Sequence, residues 1–261
     1  MQRTAQPLGV EPGEVLVTYY EVLLRQFGPQ GWWPARTRLE VILGAILTQN
    51  TTWQNAARAV ARLREEGLLK WPRLRQAHLQ VIENCVRPAG YFRQKARTIR
   101  TFVEWLDAMH GGSLDSLFAQ PPETARAQLL AVRGLGPETV DAILLYAGKM
   151  PFFVADAYTR RILVRHGMIS GKDGYAATQR FLHQHLPADE KLFNEFHALL
   201  VEVGKRYCKR KQPECLGCPL LPFLPSQSNR NPQKGDEALT VARRFETYAE
   251  TENGIKAHDA E

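Results

Sequence analysis

Apolar residues recur at helical spacing along almost the whole chain, and no stretch alternates at period two for long enough to build a sheet. Val15, Leu16, Tyr19, Val22, Leu23 and Phe27 fall on one helical face. So do Leu39, Ile42, Leu43, Ile46 and Leu47, and then Ala56, Ala57, Val60 and Leu63. The same spacing predicts helices over residues 77–85, 90–109, 122–132, 137–148, 156–166, 174–185 and 190–206. Glycine and proline mark the joints at Gly28-Pro29, Arg87-Pro88, Gly111-Gly112, Gly134 to Pro137, Pro151 and Gly167. Phe152, Phe153 and Val154 are β-prone but too few for a sheet. The expected fold class is all-α. With 261 residues, 44% of them hydrophobic, the chain can bury a real core in one large domain or two small ones.

Several classes are excluded. No run of about 18 apolar residues could cross a membrane as a helix. Residues 1–14 lack the apolar segment of a secretory signal, so a cytoplasmic location is expected. Four cysteines cannot staple a chain of this size, and three of them crowd into residues 208–218. The net charge is +7, unevenly spread. Residues 226–261 hold five basic and seven acidic side chains, so the preceding 225 carry 29 basic and 20 acidic, a net of +9. A positive body suits an anionic polymer as partner, though a basic protein without such a partner would look the same. The tail from residue 226 loses apolar periodicity and is expected to be disordered, with one transient helical segment at 240–248. Residues 1–12 are expected to be loose.

Leu130-Ala131-Val132-Arg133-Gly134-Leu135-Gly136 is followed by Pro137-Glu138-Thr139-Val140, which joins two apolar helices through a Gly-Leu-Gly turn. Such a turn exposes backbone N–H groups at the start of the second helix. Without Cβ atoms at Gly134 and Gly136 a phosphate can approach those amides, while Leu135 packs between the helices. This is a helix–hairpin–helix, which grips nucleic-acid backbone without reading bases. A plain helical hairpin is the alternative. After it come Gly148-Lys149-Met150-Pro151, two aromatics, and Asp156 at the start of a new helix, where N–H groups and the helix dipole favour an ionised carboxylate. On its own Asp156 reads as a cap. Trp32 and Trp33 precede a helix and Trp53 follows it; adjacent tryptophans cannot both lie on one helix face, so one is expected to face a cleft. An indole wall stacks planar, electron-poor groups, and packing residues are the alternative. Cys208-x6-Cys215-x2-Cys218, followed by Pro219, suggests a metal, with Cys85 a buried structural cysteine.

In this order the motifs resemble the helix–hairpin–helix Gly/Pro–Asp superfamily of DNA glycosylases, specifically its endonuclease III branch. The resemblance runs from about Val15 to Pro219 and draws also on Leu47-Thr48-Gln49-Asn50-Thr51, on Gly90 to Ala96, and on Arg161 five residues after Asp156. It implies two helical domains with a DNA-binding cleft between them. Residues 38–148 would form a helical-barrel domain with the hairpin; residues 1–37 would join 149–225, with its Cys-rich loop, in the other. It implies double-stranded DNA as partner of a monomer, no membrane, Gln49 inserted where a base has been flipped out, and Asp156 as catalytic carboxylate. Backbone contacts would come from Gly134, Gly136, Thr139, Lys205, Lys209 and Lys211.

Two departures bear on the chemistry. Bifunctional members carry a lysine nucleophile after Gly-x-Gly-x, and here that residue is Glu138, expected as a surface helix residue. A carboxylate cannot form a Schiff base, so a monofunctional glycosylase is expected. The family's fourth cysteine is replaced by Leu224. A [4Fe–4S] cluster or another metal on Cys208, Cys215 and Cys218 with the fourth ligand missing, zinc with a borrowed ligand, and no metal all stay open. The Trp32-Trp33-Pro34 and Ile46-Leu47-Thr48-Gln49-Asn50-Thr51 pattern, with the missing lysine, resembles the 3-methyladenine DNA glycosylase members, which implies alkylated purines as substrates. Oxidised pyrimidines with lyase activity, or a DNA-binding homologue without catalysis, are the alternatives.

Overall fold

A computed structural model describes residues 11–225, and among them every regular element is helical. The helices are α1 (Pro12–Phe27), α2 (Arg38–Thr48), α3 (Trp53–Glu65), α4 (Trp71–Gln76), α5 (Leu79–Val86), α6 (Phe92–His110), α7 (Leu114–Phe118), α8 (Pro122–Leu130), α9 (Pro137–Tyr146), α10 (Ala157–Arg165), α11 (Tyr175–His185) and α12 (Glu190–Arg206). Local chemistry sets their starts. The side chains of Thr37, Thr52, Ser113, Asp156 and Asp189 each accept an amide N–H of the turn they cap, and proline opens α1, α4, α8 and α9.

The short helices α4 and α7 were not expected; five or six residues are too few to show a helical repeat. Pro12, expected in a loose segment, opens α1. Residues 1–10 and the tail from 226, with its expected helix at 240–248, lie outside the described residues.

Two helices are central. Leu39 to Leu47 of α2 and Thr139 to Tyr146 of α9 are buried on every side, and the two helices pack together. Around them α3, α5, α6 and α8 form one group, while α1 packs on α11 and α12, and α10 packs on α12. Contacts between α9 and α12 join the groups. α10 and α12 approach closely at Gly204, where an added Cβ would collide with the ring of Tyr158. No helix among the described residues is long and apolar enough to cross a membrane.

Candidate active site

A cavity of about 830 Å³ opens where α2, α9, α12 and the first turn of α10 converge. That is ample for a nucleotide-sized ligand. Trp32, Trp33, Trp53, Gln49, Glu138, Thr139, Tyr146, Asp156, His197 and Lys205 all line it. Residues more than 170 positions apart in sequence thus share one wall.

Asp156 does both things its position allows. Oδ1 accepts the Thr159 N–H at 2.8 Å and caps α10, while Oδ2 stands 3.7 Å from His197 Nε2. The side chain retains 13% exposure, within the cavity lining. Burial alone would raise its pKa, but His197 and the Thr159 hydrogen bonds outweigh it and hold the carboxyl below its ordinary value. His197 is itself buried, and its Nδ1 is hydrogen-bonded to the hydroxyl of Tyr146. Burial, and then the charges of Asp156 and Glu195, push the Tyr146 phenol well above its usual pKa.

Glu138 is an exposed residue of α9, as expected. It lines the cavity, and desolvation followed by repulsion from Asp156 raises its pKa. Lys149 lies elsewhere, its Nζ 3.0 Å from Glu190 Oε1. The amine that does line the cavity is Lys205, 5.8 Å from the centre of the Trp32 ring.

Both Trp32 and Trp33 face the cavity, because neither lies on a helix and the expected one-in, one-out arrangement does not apply. Trp32 and Trp53 pack with centroids 4.8 Å apart, and Trp33 meets Trp53 at 5.1 Å and Tyr146 at 5.3 Å. The half-buried indoles therefore pack on each other and still form the wall.

Gln49 ends α2, and its Nε2 donates to the carbonyl of Gly134 at 3.3 Å, which ties it to the hairpin. The two turn glycines have different reasons. Gly134 has φ +100°, and an added Cβ would strike Thr98 Oγ1, so packing and backbone demand glycine there rather than access for a phosphate. At Gly136 a Cβ would meet only open space, which leaves the start of α9 approachable. Leu135 is buried between the helices, as expected, whereas Thr139 is buried in the cavity wall and not on the outer face of the hairpin.

Cys85 is buried. Cys208, Cys215 and Cys218 line one small cavity together with Leu224. The apolar Leu224 offers no donor, and Arg165 Nη1 lies 3.0 Å from Cys208 Sγ. Among the described residues no group of three His, Cys, Asp or Glu side chains is arranged to hold a metal ion. These residues do not fit a four-thiolate cluster. The loop is held instead by arginines of α10: Arg161 Nε donates to the Cys208 carbonyl at 2.7 Å, and Arg165 donates to the carbonyls of Lys209 and Arg210 at 2.8 and 3.1 Å. Lys209 pairs with Glu214, and Lys211 is exposed.

Sequence reasoning missed His197 and Tyr146. Both sit within apolar helical runs, where periodicity shows only core.

A Methanocaldococcus jannaschii protein named as a candidate DNA repair glycosylase is 38% identical over 82% of this chain and 97% of its own length. The endonuclease III of Sulfolobus acidocaldarius is 28% identical over 70% of this chain and 79% of its own. Among solved structures, a non-covalent endonuclease III–DNA complex has a TM-score of 0.71 at 21% identity, covering 85% of this chain and 99% of that one. The H. pylori 3-methyladenine DNA glycosylase bound to 1,N6-ethenoadenine has a TM-score of 0.66 at 24% identity, covering 76% and 98%. A family model matches residues 43–188, which span the hairpin and Asp156. The chain belongs to the HhH-GPD superfamily of base excision DNA repair proteins and is a DNA glycosylase.

Proposed function

We propose that this glycosylase is monofunctional and acts on alkylated purines such as 3-methyladenine in double-stranded DNA. The observation that carries the reading is the cavity itself: Asp156 stands in the same chamber as an indole wall, and the hairpin contributes Glu138 rather than an amine. A cationic alkylpurine gains from a π face and already has a weakened glycosidic bond, so it needs little leaving-group acid. The N-glycosidic bond breaks with its electron pair leaving on the base. The Asp156 carboxylate stabilises the oxocarbenium-like sugar and guides a water to C1′, whose proton it accepts.

In this reading Gln49 fills the gap left by the flipped nucleotide. The Gly134 and Gly136 turn and Lys205, Lys209 and Lys211 grip the backbone, with Thr139 shaping the wall. The same reading divides the chain into a barrel domain at 38–148 and a second domain of 1–37 with 149–225, of which residues 1–10 lie outside the described residues.

The test is incubation of 3-methyladenine duplex with the protein, followed by analysis of free base and strand. Free base with an intact abasic strand is expected. Replacement of Asp156 by Asn should slow base release by about 1,000-fold or more while duplex binding persists. Borohydride trapping on abasic DNA, lost in Lys205→Ala, would instead show that the one cavity-lining lysine serves as a lyase nucleophile. Absence of base release from alkylated duplex would remove the substrate assignment.

A further inference from the structure

The mechanism above gives His197 of the cavity wall no task. His197 reaches from α12 towards Asp156, and its Nε2 is buried with no hydrogen-bond partner among the described residues. Asp156 Oδ2 stands 3.7 Å from it. A shift of under about 1 Å brings that pair to hydrogen-bond length, the kind of tightening that substrate binding produces in active sites.

The other side of the ring explains its orientation. The Tyr146 hydroxyl is bonded to Nδ1, and the phenol stays protonated because burial raises its pKa. With the hydroxyl donating, Nδ1 carries the lone pair and the ring hydrogen sits on Nε2, facing the carboxylate. The ring of Tyr146 also packs on Trp33, with centroids 5.3 Å apart. A continuous path therefore runs from Trp33 through Tyr146 and His197 to Asp156. Glu138 lines the same cavity, and His197 acts on its pKa.

We infer that His197 is a positioning residue: held as the Nε2–H tautomer by Tyr146, it fixes Asp156 Oδ2 for the reaction, and Tyr146 links that contact to the indole wall. The inference rests on the glycosylase reading above, in which Asp156 acts on the sugar.

Three full-chain variants test it: H197F, H197Q and Y146F. Single-turnover base release from 3-methyladenine duplex is measured beside affinity for a duplex carrying a tetrahydrofuran abasic analogue. H197F keeps the ring but loses the N–H, and is expected to slow base release about 10- to 100-fold with duplex affinity unchanged. H197Q places an amide N–H near the position of Nε2 and is expected to recover most of the rate. Y146F removes a single oxygen, so it decides the matter if H197F melts; a several-fold slowing is expected.

A nitrogen-15 spectrum of histidine-labelled protein gives the tautomer directly, with the His197 signal assigned by its loss in H197Q. The Nε2–H form is expected in wild type and a mixture in Y146F. An Nδ1–H form in wild type, wild-type turnover in H197F, or equal losses in H197F and H197Q would each overturn the inference. The spectrum needs no substrate, so a protein that releases no base overturns the glycosylase reading while the tautomer still decides this one.

Discussion

At Asp156 the oxygen that caps α10 and the oxygen that faces His197 belong to one carboxylate held below its ordinary pKa. A carboxyl lowered by folding adds stability above the ordinary carboxylate range and loses it only as pH falls through its lowered folded value. Glu138 runs the other way, because desolvation and then the charge of Asp156 disfavour its ionised form, and that cost is relieved as pH falls through its raised value. The rate of base release is therefore expected to stay flat through mildly acid pH. It should fall only below the ordinary carboxylate range, and Glu138→Gln should leave that limb in place. Single-turnover profiles of the two proteins check this. Glu138→Lys puts an amine in the chamber, and a borohydride-trapped complex on abasic DNA is its expected outcome. Asp156 was legible in the sequence because a cap after a Gly/Pro loop leaves a local trace. Glu138 was legible as a surface residue, but helical position alone does not say that its surface borders a cavity.

Among the helices, the geometry depends on a few buried contacts between elements. Asp141 of α9 is fully buried and accepts from Arg126 Nε at 2.6 Å, Tyr175 Oη at 2.7 Å and Gln179 Nε2 at 2.7 Å, which ties α8, α9 and α11 together. Asp141→Ala leaves the partly exposed Arg126 guanidinium, Tyr175 and Gln179 without their shared acceptor, and a loss of about 1–3 kcal/mol is expected from the denaturant midpoint. Gly204→Ala forces Tyr158 away from α12, with an expected cost of about 1–3 kcal/mol. Because α10 and α12 carry Asp156 and His197, that variant should also slow base release at temperatures where it is folded. The long helices were legible from apolar spacing, since each shows several repeats of 3.6. The close approach at Gly204 was not, because a glycine inside a helical run does not say which neighbour it admits.

For the whole molecule, the loop that a metal cluster would organise in the resembling family is tied down by two arginines from α10. The melting temperature is accordingly expected to be unchanged by a chelator, and the purified protein to lack absorbance near about 400 nm, the iron–sulfur region. Lys209 and Lys211 sit on that loop. If each neutralises one phosphate, replacing either with alanine should lower the slope of log affinity against log salt by about one. The net charge of +9 ahead of residue 226 pointed to such a partner, but which lysines face it depends on how the loop folds back on α10.

Asparagine caps a helix about as well as aspartate. The turn that begins α10 would thus survive replacement of Asp156 by Asn, since a side-chain oxygen remains to accept the Thr159 amide. Such a chain would keep its fold, giving up only the modest stability that the ionised carboxylate adds, and still dock on damaged duplex. A screen that scores variants by thermal melting would pass it as healthy, and a laboratory could use it as a bait that holds lesions without releasing them.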